Sequence, residues 1–236
     1  MIPKPSLFRV DRLELAFRPK PWAFAQEKRA EIDAFWADLT AKNPALWNGR
    51  VLLLYRHIVS EGVFRGDCLE TDYASFIAWR RWGTQAAGVH DCFSAAAIVS
   101  ADGAVLLGEM GAHTANAGAI YFPCGTPDPS DIIGDEVDLE ASVARELKEE
   151  TGFDIGEFKL EPGWTTVVDR QLIVQIKTLH SALSADELRA RMLAHLASEQ
   201  QPELSGIHIV RGRDDYTPAM PRFVTAFLDG YFGAPA

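Results

Sequence analysis

Apolar and polar positions alternate over residues 10–17, "VDRLELAF", which predicts a strand. Residues 22–42, "WAFAQEKRAEIDAFWADLTAK", carry the spacing of an amphipathic helix, opened by Pro21 and stopped by Asn43-Pro44. Residues 50–58 and 61–70 predict a strand pair, and 72–82, "DYASFIAWRRW", a helix ending at Gly83. The small polar run at 83–88 marks a boundary between an N-terminal unit, 1–87, and a larger unit, 88–236. In the second unit, "FSAAAIVSADGAVLLGEM" (93–110) places Asp102-Gly103 between two apolar runs, a strong hairpin signal. A strand at 119–123 follows, then a loop at 125–137 without periodicity, and a helix at 138–151. Strands near 155–168 and 170–179, a helix at 184–197, a short strand at 206–210 and a last helix at 218–231 complete the pattern. Strands and helices alternate with long loops, so the chain predicts a mixed α/β fold with an N-terminal α+β extension.

The helix at 138–151 is unusual in its charge. At 100° per residue, Glu146, Glu149 and Glu150 fall within an arc of about 100°. Two carboxylates about 6 Å apart repel by roughly 3 kcal/mol at an effective dielectric near 20. Val143 and Leu147 lie on another stripe, free to bury against a sheet, and Arg145 stands four residues before Glu149. Hard divalent cations, Mg²⁺ above all, take such oxygen ligands, bridge phosphates and offset that repulsion. A plain solvated acidic face is the alternative for an isolated E-x-x-E-E.

Composition narrows the partners. Of 236 residues, 47% are hydrophobic and 24% charged, an ordinary globular balance able to bury a core. No apolar run approaches the ~18 residues a membrane span needs, and the N-terminus has no apolar signal segment, so the expected location is the cytoplasm. The net charge of −10 disfavours nucleic-acid polymers and anionic membranes, and an anionic small substrate would need a cation beside it. Cys68, Cys92 and Cys124 form no C-x-x-C pair and are expected to be reduced. The six histidines show no ligand spacing. In "SFIAWRRWG" the Arg and Trp mixture could stack a base, but inward packing of Phe76 and Trp79 is the preferred reading.

The nine residues "RELKEETGF", Arg145–Phe153, resemble the second half of the Nudix box, R-E-L-x-E-E-x-G-Φ, at every fixed position. The first half diverges. "YFPCG" is similar to the aromatic-Pro-Gly-Gly strand end that opens the box, with Cys124 in place of the first Gly. Five residues separate Gly125 from Asp131, which stands where the family has Glu. Thirteen residues then precede Arg145 in place of seven, implying a six-residue insertion within "IIGDEVD". Gly134 and Glu140 also sit five residues apart but leave too short a spacer.

The resemblance implies a Nudix-type α/β/α sandwich over about 90–232 and hydrolysis of a nucleoside diphosphate linked to another moiety. It implies Mg²⁺, or Mn²⁺ in substitution, held by Glu146, Glu149, Glu150 and Asp131, with Arg145 orienting the glutamates. Glu203, with Glu199 behind it, is the candidate general base. "NPALWNG" and "GDCLETDYASFIAWR" are similar to the N-terminal part of the Nudix branch that includes UDP-sugar pyrophosphatases, which implies a small nucleotide conjugate and allows a homodimer through the extension. A nucleotide-sensing domain without turnover is the second reading. An isomerase of prenyl diphosphates is the third, lacking a clear cysteine–glutamate arrangement.

Overall fold

The computed structural model describes residues 3–44, 46–83 and 88–233. The first part of the chain runs β1 (Ser6–Val10), β2 (Arg12–Phe17), α1 (Ala23–Glu27), α2 (Arg29–Lys42), β3 (Arg50–Ser60), β4 (Val63–Asp72) and α3 (Tyr73–Trp82). There follow β5 (Asp91–Val99), β6 (Val105–Met110), β7 (Ile120–Tyr121), β8 (Cys124–Gly125), β9 (Ile132–Ile133), β10 (Glu136–Val137) and α4 (Leu139–Thr151). The chain closes with β11 (Lys159–Leu160), β12 (Trp164–Asp169), β13 (Leu172–His180), α5 (Ala185–Ser198), β14 (Leu204–Val210) and α6 (Arg222–Gly233). The fold is mixed α/β. Of the boundary expected at 83–88, residues 84–87 lie outside the described residues.

Two sheets carry the architecture. The larger has the order β1-β12-β13-β5-β6-β14, with β7, β8 and β11 as short additions. Its centre is parallel, β13 beside β5, and its flanks are antiparallel. Every residue of β5 is buried, as a strand covered on both faces must be. Val143 and Leu147 of α4 and Phe223 and Phe227 of α6 complete that core. The smaller sheet has the order β3-β4-β2-β10-β9. Its alternation serves two cores: Leu52 and Leu54 face the main one, while Val51 and Leu53 pack with Ile32, Phe76 and Trp79 against the extension's helices.

Four elements differ from the sequence pattern; one is the strand expected near 155–168, which is a 3-10 turn at Ile155–Glu157 followed by the separate strands β11 and β12. The strand expected over 10–17 is two strands in two sheets. The switch is at Asp11, where the N–H groups of Asp11 and Arg12 both donate to Gly62 O, at 2.6 and 3.4 Å. Alternation reports a period, not a partner, and cannot reveal such a switch. The helix expected over 22–42 breaks at Lys28. The aperiodic loop 125–137 contains the hairpin β9–β10, which joins the smaller sheet through Glu136 opposite Ala16. Among the described residues no helix is long and apolar enough to cross a membrane.

Candidate active site

The acidic helix forms for local reasons. Asp138 caps α4, its carboxylate accepting from Glu140 N and Ala141 N at 2.9 Å, and Gly152 ends it with φ 77°. Once Val143 and Leu147 lock onto the sheet, the helix rotation is fixed, and it carries Glu146 and Glu150 inward. Glu146 is 9% exposed and Glu150 4%, whereas the Glu149 side chain is 61% exposed. Gly125 on β8 makes room for Glu146. A Cβ there would fall 2.0 Å from Glu146 Oε1, so only glycine lets the strand pass.

Arg145 gathers the surrounding acids. Its Nη1 donates to Glu146 Oε1 at 2.6 Å and lies 3.5 Å from Glu149 Oε2. Its Nη2 reaches both Asp131 oxygens, at 3.2 and 3.1 Å. Asp131 Oδ2 also accepts from Asp128 N at 3.0 Å. Both Asp131 oxygens are thus engaged, and the side chain is 3% exposed. Asp138 N donates to Asp131 O at 2.8 Å, so the chain leaves and returns at one point. The residues between, 132–137, form the hairpin that pairs with β2.

Negative charge is in excess here. Burial, eased in part by Arg145 and reinforced by Glu149, pushes the Glu146 carboxyl up to about 7. Burial and then the charges of Glu146 and Glu203 raise Glu150 well above the carboxylate range, and its Oε2 is buried without a hydrogen-bond partner. Glu203 is raised by burial and eased by His113. Its backbone carbonyl accepts from Gly111 N at 2.8 Å, which holds it beside the loop that follows β6. Glu199 is turned to His195, 3.4 Å away.

Among the described residues no three His, Cys, Asp or Glu side chains form a group that could hold a metal by themselves. Mg²⁺ uses one or two carboxylates and completes its shell with water and substrate phosphates, so a closed protein cage is not its pattern. Two buried carboxylates with raised affinity for a positive charge, one bearing an orphaned oxygen, are donors that fit such an ion.

Other sequence candidates fall elsewhere. Phe76 and Trp79 are buried in the extension's core, as preferred from the pattern. All three cysteines are free, and burial pushes the Cys68 thiol up to about 12. Cys124 lies beside the site, but burial and the neighbouring Glu150 and Glu146 raise its thiol, the opposite of what a nucleophile needs.

Residues 90–193 match the NUDIX domain family model. The chain carries a Nudix domain. Domains of this family belong to hydrolases of nucleoside diphosphate derivatives and generally work with divalent metal ions. No curated protein matches the sequence. Among solved structures, a Nudix hydrolase from M. smegmatis is 14% identical, with 62% of this chain and 88% of that one covered and a TM-score of 0.39. A MutT protein from Methanosarcina mazei Go1 is 17% identical, with 61% and 94% covered and a TM-score of 0.40.

Within this Nudix domain the two alignments of the first half-box are geometrically distinct. Asp131, separated from Gly125 by five residues, is bonded to Arg145. Glu140, separated from Gly134 by five residues, is exposed on the first turn of α4 and lies 4.0 Å from Lys177. The hairpin β9–β10 falls within the segment where the sequence alignment expects the insertion.

Proposed function

We propose that this protein is a divalent-metal-dependent pyrophosphohydrolase that cleaves the diphosphate of a nucleoside diphosphate linked to another moiety, nucleotide sugars among the candidates. The observation that carries the reading is the burial of Glu146 against Gly125 and of Glu150 one helical turn on, with one Glu150 oxygen unpartnered, inside a Nudix domain. Glu146, Glu149 and Glu150 would hold Mg²⁺, with Mn²⁺ as a substitute. When bound, the ion neutralises diphosphate oxygens and lowers the pKa of a water. Arg145 orients Glu146 and Glu149. Asp131, a candidate ligand by sequence, has both oxygens engaged, so its part in this proposal is to hold Arg145. Glu203 accepts the proton of the attacking water, its raised proton affinity suiting a general base. The −10 net charge favours a compact substrate over a nucleic-acid polymer. The setting we propose is cytoplasmic. A homodimer could form through edge strand β3, where Ile58 and Val59 are exposed, and light scattering tests it.

Phosphatase-coupled phosphate release from a panel of nucleoside diphosphate conjugates with Mg²⁺ tests the activity. Dialysis against chelator should abolish release, and Mg²⁺ or Mn²⁺ should restore it; full turnover in chelator overturns the reading. A second reading, a sensing domain without turnover, draws on the Arg145–Glu146 contact, which occupies one oxygen of a presumed ligand. Tight binding of a conjugate with no phosphate release would favour it.

A further inference from the structure

Four residues on four neighbouring strands stand in one line across the larger sheet. Thr166 of β12 is opposite Gln175 of β13, Gln175 is beside Ser94 of β5, and Ser94 is opposite Gly125 of β8. Residues paired in this way share a face of the sheet. It is the face that carries the α4 carboxylate, because a Cβ at Gly125 would fall 2.0 Å from Glu146 Oε1. Thr166, Gln175 and Ser94 are all fully buried.

The line has a direction. Thr166 Oγ1 donates to Gln175 Oε1 at 2.7 Å, which turns the amide oxygen toward β12 and leaves Nε2 on the side of β5. Gln175 Nε2 and Ser94 Oγ are both buried, and neither has a hydrogen-bond partner. Buried polar atoms are costly when unpaired, so two at adjacent positions call for a shared partner. Cys92, the next residue of β5 on this face, is the other group near the amide, but a thiol is a weak acceptor. Ser94 is in turn close to the carboxylate. Directly opposed residues hold their Cβ positions about 5 Å apart, so Ser94 Cβ lies within roughly 7 Å of Glu146 Oε1, a gap that its hydroxyl and one water span.

We propose that Ser94 and Gln175 are positioning residues for Glu146. Hydrogen bonds run along the row from Thr166 to the Gln175 oxygen, from Gln175 Nε2 to Ser94 Oγ and from the Ser94 hydroxyl to the Glu146 carboxylate, with ordered water closing the gaps. Arg145 grips that carboxylate from the helix, and the row grips it from the sheet. The effect of the row on metal binding rests on the reading of Glu146 as a ligand; the contact between Ser94 and Glu146 does not.

Denaturant unfolding of the metal-free protein tests the contact, and isothermal titration calorimetry with Mn²⁺ alone tests its effect. In a double-mutant cycle, Ser94→Ala with Glu146→Met should change the folding constant by at least about threefold more or less than the product of the single effects. Wild type should bind Mn²⁺ at least about fivefold more tightly than Ser94→Ala or Gln175→Met. The double variant Ser94→Ala/Gln175→Met should bind no more weakly than the weaker single one, because both act through one row. Cys92→Ala should leave the affinity unchanged. Circular dichroism establishes that each variant is folded. An additive cycle between Ser94 and Glu146 overturns the proposal, as does Mn²⁺ binding unchanged in Ser94→Ala. The outcome separates from that of the hydrolase reading. Coupling in a protein that binds no Mn²⁺ removes the metal site and keeps the row; Mn²⁺ binding with an additive cycle does the reverse.

Discussion

The two halves of the segment 125–153 are built on different supports. The helical half, α4, depends on its own sequence and on the larger sheet: Asp138 caps it, Gly152 ends it, and Val143 and Leu147 seat it on the main core. The loop half depends on residues more than a hundred positions away. Its hairpin adds to the smaller sheet through Glu136 opposite Ala16, Phe17 N donates to Asp135 O at 2.8 Å, and Arg18 pairs with Asp135 at 2.7 Å. Arg145, the Asp138–Asp131 backbone bond and the packing of Gly125 against Glu146 join the halves at the site. The chemistry therefore sits on the part that is rigid by itself. The positioning of Arg145 is shared with the N-terminal sheet. An insertion at a point where the chain leaves and returns between two bonded residues leaves the helix register untouched, because its length is absorbed by a sheet outside the site.

The sharpest break of this comparison is in the helical half. Glu149→Gln and Glu150→Gln should each lose at least ~100-fold in kcat, the scale of removing transition-state charge stabilisation. Neither should unfold. Glu150→Gln should hold or raise Tm, since burial and two neighbouring carboxylates already oppose ionisation at this position and the amide is a neutral isostere. Rates near wild type for either variant would remove these residues from the site.

The loop half should answer in the opposite sense. Asp131→Asn leaves a partly buried Arg145 with a weaker partner, and breaking such a pair costs about 2–3 kcal/mol once the exposed edge of Arg145 is allowed for. Loss of stability, read by denaturant midpoint, should exceed that of Glu150→Gln, while kcat falls less than in the helical variants. A stable, inactive Asp131→Asn would place Asp131 among the direct ligands. Replacing 132–137 by one glycine should cost about 1–2 kcal/mol, because β2 loses one neighbour but keeps β4. Hydrogen exchange should rise in β2 and not in α4. Faster exchange in α4 would show that the helix does lean on the smaller sheet.

The same contrast explains what was legible in the sequence. The helix start, its glycine stop, its buried stripe and its acidic face are all set within fifteen residues, and local spacing displays them. The split of residues 6–17 between two sheets at Asp11 and the pairing of 132–137 with β2 are choices of partner, which period cannot encode. Asp131 could be aligned by counting from Gly125, but its bond to Arg145 crosses the insertion and needed the fold.

The smallest expected effect lies in the extension, away from both halves of the box. Asp72 caps α3, its carboxylate accepting from Ser75 N at 3.0 Å, from Ser75 Oγ at 2.8 Å and from Arg29 Nη1 at 3.1 Å. Burial alone would raise its carboxyl, but the hydrogen bonds from Ser75 and Arg29 outweigh that and hold it below the ordinary value of 3.8. A folded pKa below the unfolded one means that the stabilisation is present in full above about pH 4 and is lost as pH falls through the folded value. Asp72→Asn removes the charge at every pH. Wild type should therefore exceed it by about 1 kcal/mol near pH 7, a Tm difference of about 2–4 °C at this chain length, and the gap should close as pH falls below about 4. A constant gap from pH 7 down to pH 3 would show that the cap acts through geometry alone, with no part played by its charge.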